Sequence, residues 1–176
     1  MNNRGLINSV LLDKLNFMMI KKLCSFLLLL IGASALYSQG TAIGKWKSYF
    51  PYKSVIDIAQ NGNIVYGATK NAIIIKDYSD NSIERLTKVN ALSDNSISAI
   101  EFNTATKFLV VGYENGNVDI IQDNITTNLF QIKESSIIGD KTIYDVFCKD
   151  NLAYLSCGFG IVVFDLSKKE VKDTYI

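Results

Sequence analysis

Asp57, Glu101 and Asp145 stand 44 residues apart in the chain. Three carboxylates converging on one place could divide an acid and a base between them. The same spacing also fits a polar face that alternates with apolar neighbours along strands, with no chemistry at all. The chain has no His, which removes the commonest general base, the Ser-His-Asp arrangement and most zinc sites. Catalysis would have to rest on carboxylates, Lys or Tyr.

The other candidates read as structure. Asp77 and Asp80 suggest a calcium loop but lack the alternating acid ligands and the distant Glu, so a turn is expected there. Lys168-Lys169-Glu170 reads as a solvated turn. Asn124-Ile125-Thr126 fits a glycosylation acceptor, a pattern that means little behind a leader of bacterial type. Trp46, Tyr49 and Tyr52 either stack on a ligand or pack between sheets. In VVGYENGNVDII, residues 110–121, Asn115-Gly116 lies between strand-forming runs. It is expected to make a two-residue type I′ hairpin turn, because no helix start follows as a phosphate loop requires. No catalytic residue, metal ligand or cofactor site is therefore assigned, and the binding residues stay unknown.

Composition bounds the class. The chain has 176 residues, 48% hydrophobic and 20% charged, which is globular rather than disordered. Nine Tyr, nine Phe and a single Pro, with many Ile and Val, favour strands. Residues 1–38 read as a signal peptide: Lys21 and Lys22 form the basic region, Leu23 to Ile31 the apolar stretch, and Gly32 to Ser38 the small-residue exit. Cleavage is expected between Ser38 and Gln39. Met18 and Met19 precede the basic pair, so residues 1–17 are read as a start assigned too early. Cys24 opens the apolar stretch where a lipoprotein cysteine would close it. Removing the leader takes away Arg4, Lys14, Lys21, Lys22 and Asp13, leaving 14 basic and 16 acidic residues. That balance has no electrostatic reason to bind nucleic acid. Cys148 and Cys157 are expected on paired strands, roughly 16 Å apart at ~3.3 Å per residue, too far for a disulfide.

The elements that must position these residues repeat. Without a gap, Val55-Ile56-Asp57-Ile58 falls on Ala99-Ile100-Glu101-Phe102 and on Ile143-Tyr144-Asp145-Val146, each 44 residues on. Ile64, Phe108 and Leu152 coincide, as do Tyr66, Val110 and Tyr154. Each unit holds four short strands. They are expected near 55–59, 64–69, 73–77 and 83–88, then 98–102, 108–113, 117–122 and 127–132, then 143–147, 152–157, 161–165 and 170–176. Four antiparallel strands per repeat make a propeller blade. The fold expected is all-β: about three four-stranded blades, near 45–90, 91–135 and 136–176, of an incomplete propeller within residues 39–176. Residues 45–50 are a candidate extra strand. Three blades cannot close a ring, so the chain is expected to be the N-terminal piece of a longer protein, or to be completed by oligomerisation.

In this ungapped comparison Asp119 falls on Ile75 and Val163. A carboxylate standing among aliphatics is either matched by a donor between blades or marks a contact site of the second blade.

Leu92-Ser93-Asp94-Asn95-Ser96-Ile97-Ser98-Ala99-Ile100, followed by Phe108 to Gly116, resembles the repeat of two-component-regulator propellers. With Trp46-Lys47-Ser48-Tyr49, Gly112 to Ile121, Gly139-Asp140-Lys141-Thr142-Ile143 and Gly158 to Leu166, the chain is more closely similar to the PorZ family of N-terminal propellers from the type IX secretion system. The resemblance covers about residues 44–176. It implies a non-enzymatic, exported component of the cell-surface attachment complex, at the periplasm and outer-membrane surface. Its implied partners are the sortase PorU, PorV and PorQ, with anionic lipopolysaccharide as a possible ligand. The family's further blades, second propeller and C-terminal β-sandwich are not in these 176 residues. The alternative is a periplasmic glycan-sensing propeller of a two-component regulator. An enzymatic alternative is a propeller lyase or hydrolase working through Asp57, Glu101 and Asp145.

Overall fold

The computed structural model describes Met18, Met19, Lys21, Lys22 and residues 54–176. The expectations for Cys24, for cleavage at Ser38 and Gln39, and for Trp46, Tyr49 and Tyr52 fall outside the described residues. Among the described residues no helix is long and apolar enough to cross a membrane.

Twelve strands follow one another. They are β1 (Asp57–Asn61), β2 (Ile64–Thr69), β3 (Ala72–Asp77), β4 (Ile83–Thr87), β5 (Ile97–Asn103), β6 (Phe108–Tyr113), β7 (Val118–Gln122), β8 (Ile125–Leu129), β9 (Ile143–Lys149), β10 (Leu152–Cys157), β11 (Gly160–Asp165) and β12 (Glu170–Tyr175). They form three four-stranded sheets, β1 to β4, β5 to β8 and β9 to β12, each antiparallel and in chain order. These are three propeller blades. The first strand of the middle blade, β5, packs against β1 on one side and β9 on the other.

β2, β6 and β10 begin at Ile64, Phe108 and Leu152, in phase with the 44-residue period. The third strands depart from it because the hairpins before them differ in length. In the first blade Thr69 pairs with Ala72 across Lys70-Asn71, and in the third Cys157 pairs with Gly160 across Gly158-Phe159. In the second, the Tyr113 N–H donates to the Asn117 carbonyl and the Gly116 N–H to the Tyr113 carbonyl. Glu114-Asn115-Gly116 is thus a three-residue loop with Gly116 alone left-handed, at φ 79°. This is a type I turn closed by a glycine bulge, not the expected two-residue type I′ turn. The type I′ conformation occurs at the next hairpin, where Asp123 (φ 49°) and Asn124 (φ 62°) are both left-handed and Gln122 pairs with Ile125.

That extra loop residue moves every side chain after it to the other face of the sheet. Tyr66 pairs with Ile75, Val110 with Ile120 and Tyr154 with Val163. The counterpart of Ile75 in the second blade is therefore Ile120. Asp119 corresponds to Ile74 and Val162, which corrects the ungapped equivalence with Ile75 and Val163. The tight turn at Asp123-Asn124 then starts β8 at Ile125 rather than 127 and ends it at Leu129, which is buried like its counterpart Leu86. Past it, Gln131–Glu134 forms one helical turn instead of strand, burying Ile132. The Lys141 ammonium donates to the Lys133 and Ser135 carbonyls at the end of that turn. β1 likewise runs to Asn61 rather than stopping at 59, because Gly62, at φ 57°, lets Asn61 pair directly with Ile64.

Two apolar cores lie in the two seams between blades. The first joins Ala68, Ile73 and Leu86 to Leu109, Val111 and Ile121. The second joins Val110, Ile120 and Leu129 to Leu155, Val162 and Phe164. Fully burying one such side chain contributes about 1.5–3 kcal/mol. Close approach demands glycine at Gly112, where a Cβ would lie 2.6 Å from Ile143 Cγ2. On the opposite faces of the first and third blades Ile58 and Phe147 are exposed, where a closed ring would place further blades.

Candidate functional site

A cleft of about 420 Å³ opens in the first seam. The first blade supplies Tyr66 and Ile75 to its wall, and the second supplies Phe102, Leu109 and Ile121. The Tyr66 and Phe102 rings stack with centroids 5.8 Å apart and planes 8° from parallel. Burial raises the Tyr66 phenol above its ordinary value, against a hydrogen bond with Asn61 that lowers it. Asp77, Glu84, Lys107 and Asp123 stand round the cleft, together with Gln122 and Asn124. Three carboxylates against one ammonium make it acidic.

Asp119 lies two residues before Ile121 on β7, wholly buried. Its Oδ2 accepts from the Tyr113 hydroxyl at 2.6 Å and the Ser93 N–H at 2.8 Å, and its Oδ1 accepts from the Asn128 amide at 2.8 Å. Ser93 belongs to the connection between the first two blades. The carboxylate is therefore matched by donors and ties that connection to β6 and β8. Burial, then the Asp119 charge beside it, pushes the Tyr113 phenol far up. In the same connection Asp94 accepts from Lys133 at 2.8 Å, Asn115 at 2.7 Å and Lys88 at 3.3 Å. Burial alone would raise this carboxyl. Hydrogen bonds from Lys133, Asn115, the Asn95 N–H and Lys88 together hold it well below the usual carboxylate range.

Asp57, Glu101 and Asp145 sit on the adjoining strands β1, β5 and β9. Burial raises the Glu101 carboxyl, and the Asp57 and Asp145 charges raise it further. Asp57 is already engaged: its Oδ2 accepts from the Ile100 N–H at 2.7 Å, fastening the first blade to the second. Among the described residues no group of three or more His, Cys, Asp or Glu is placed to hold a metal. Cys148 and Cys157 are both free thiols. Cys148 pairs with Ala153 while Cys157 pairs with Ile143, at opposite ends of the hairpin. Burial, with Glu101 near one and Asp140 near the other, pushes their thiols up to about 12 and about 11. Neither is a ready nucleophile.

Asp77 and Asp80 form the expected turn, accepting from the Ser79 N–H at 2.7 Å and the Ser82 N–H at 2.8 Å. Lys168 and Glu170 are exposed and 3.8 Å apart. Asn124 occupies the left-handed turn after β7.

The cleft was not foreseen from the sequence. Its signal lies in the second seam, where Phe164 and Ala153 are the counterparts of Ile121 and Leu109. The contrast is hidden until the third strand of the second blade is shifted by one residue.

Three consecutive four-stranded antiparallel blades, held by seam cores and one buried polar cluster, define a β-propeller repeat protein. Residues 47–176 match the family described as the N-terminal β-propeller domain of PorZ of the type IX secretion system, and the chain belongs to that family. PorZ of Porphyromonas gingivalis, described as an essential bacterial surface component of that system, superposes with a TM-score of 0.65 at 26% identity. The match covers 69% of this chain and 16% of that one. The extracellular domain of a putative one-component system from B. thetaiotaomicron shares the fold, with a TM-score of 0.59 at 12% identity over 74% of this chain and 18% of its own. So does the computationally designed Ika4 protein, with a TM-score of 0.55 at 16% identity over 73% of this chain and 76% of its own. No curated protein matches the chain.

Proposed function

We propose that this chain is the propeller portion of a non-enzymatic scaffold of the type IX secretion machinery. It is exported by the leader ending at Ser38 and acts at the outer-membrane surface with PorU, PorV and PorQ in processing cargo and attaching it to anionic lipopolysaccharide. The observation that carries this reading is the PorZ family match over residues 47–176. The chemistry of the described residues agrees with it. Asp57 and Asp119 are spent on hydrogen bonds that join blades, and both described thiols are held protonated.

The regulator reading has less support. In the Leu92-Ser93-Asp94-Asn95 segment that suggested it, the Ser93 N–H, Asp94 and the buried Leu92 all serve the connection between blades. Affinity capture of the full-length protein from outer membranes tests the proposal. Recovery of the sortase complex or lipopolysaccharide supports it, and recovery of neither ends it.

A further inference from the structure

The two seams are built from corresponding positions but filled differently. In the second, Phe164 is wholly buried against Ala153. At the same place in the first, the smaller Ile121 lies against Leu109 and the cleft of about 420 Å³ remains. That volume falls within the range of about 300–1,000 Å³ typical of ligand sites.

Its chemistry narrows the occupant. The floor is apolar, from Ile75, Leu86, Leu109 and Ile121. One face of Tyr66 is already covered by Phe102, which removes that face as a platform for a sugar ring. Asp77, Glu84 and Asp123 outnumber Lys107, so the rim repels anions and attracts a cation. Gln122 and Asn124 offer amide donors and acceptors of the kind a peptide main chain uses.

The geometry points to a binding site for a short peptide segment with an apolar side chain next to a basic one. The apolar group enters between the blades and the cation meets the carboxylates. The inference goes beyond the secretion reading and does not rest on it. An anionic glycan would have to bind elsewhere.

The test is calorimetric titration of the full-length protein with N-acetyl-phenylalanyl-arginine amide, with N-acetyl-phenylalanyl-glutamate amide and maltose as comparisons. The arginine peptide is expected to bind with a Kd on the order of 0.1–1 mM, and more weakly as salt rises. Ile121→Phe, which copies the filled seam, is expected to lower affinity at least about tenfold. Glu84→Gln, at an exposed site, is expected to lower it about threefold and supplies the reading if the first variant misfolds. No binding of the arginine peptide overturns the inference. So does equal binding of the glutamate peptide, full affinity in folded Ile121→Phe, or saturable maltose binding in place of peptide binding.

Discussion

The Tyr113 hydroxyl donates to Asp119 Oδ2 at 2.6 Å, and neither residue has any exposed surface. With the Ser93 N–H on the same oxygen and the Asn128 amide on the other, this pair fixes where the connection from the first blade meets the second. Asp119→Ala leaves the buried Tyr113 hydroxyl and the Ser93 N–H without this acceptor, while Asn128 keeps the Asn117 Oδ1 and the Val118 carbonyl, and is expected to cost about 2–4 kcal/mol. Tyr113→Phe, which removes one donor and keeps the ring, is expected to cost about 1–2 kcal/mol. Urea unfolding of both variants measures this, and a loss below about 1 kcal/mol for Asp119→Ala would contradict the assignment.

The same pair sets an alkaline limit. The Tyr113 phenol is raised, by burial first and then by Asp119, above its unfolded value near 10. A raised group contributes stability that is fully present below the unfolded value and is lost as pH rises toward the folded one. Unfolding free energy is therefore expected to fall above about pH 10 by up to about 1.4 kcal/mol per unit, and this component is expected to vanish in Tyr113→Phe. Stability curves of the two proteins between about pH 9 and 11 decide it.

How much of this was legible in the sequence depends on the element. The three blades were, because β2, β6 and β10 keep the 44-residue phase and are predominantly apolar runs bounded by turn residues. The position of Asp119 was not. The three-residue loop at Glu114-Asn115-Gly116 adds a residue and the tight turn at Asp123-Asn124 more than removes it. An ungapped comparison therefore errs by one residue along β7 and by one in the other sense along β8. The four-residue loop 104–107 likewise moves β5 by two, so that Ala99 rather than Glu101 pairs as Asp57 does. One residue in a strand exchanges faces, so Asp119 was compared with Ile75 when its true counterpart is Ile74. The cleft was lost for the same reason, since the contrast of Ile121 with Phe164 shows only after that shift.

Gly116 carries that loop. It sits at φ 79°, and a Cβ there would meet Lys141 and Ile132 at 3.0–3.1 Å. Gly116→Val is expected to lower stability by about 2–4 kcal/mol, combining backbone strain with crowding. Thermal melts read the difference, and an unchanged melting temperature would remove the bulge as the source of the register shift.

Cys148 and Cys157, with thiols raised to about 12 and about 11 by burial first, are expected to resist iodoacetamide at pH 8 in the folded protein and react fully in urea. Peptide mapping by mass spectrometry distinguishes them from Cys24. Rapid native labelling of either would contradict the raised thiols.

Glu101 reports the spacing of the inner strands. Its carboxyl is raised by burial, then by Asp57, then by Asp145. Asp145→Asn, at an exposed site, removes one repulsion and is expected to move the Glu101 midpoint down without altering the fold. Side-chain NMR titration measures the midpoint, and no movement would mean that β5 and β9 do not hold these groups together.

The most direct test of the scaffold reading is crosslinking mass spectrometry on intact cells that make the full-length protein. The exposed Lys70, Lys133 and Lys168 serve as reporters. The account predicts crosslinks from these propeller lysines to PorU, PorV or PorQ at the cell surface. Crosslinks confined to the protein itself, or directed to an inner-membrane kinase, would contradict it.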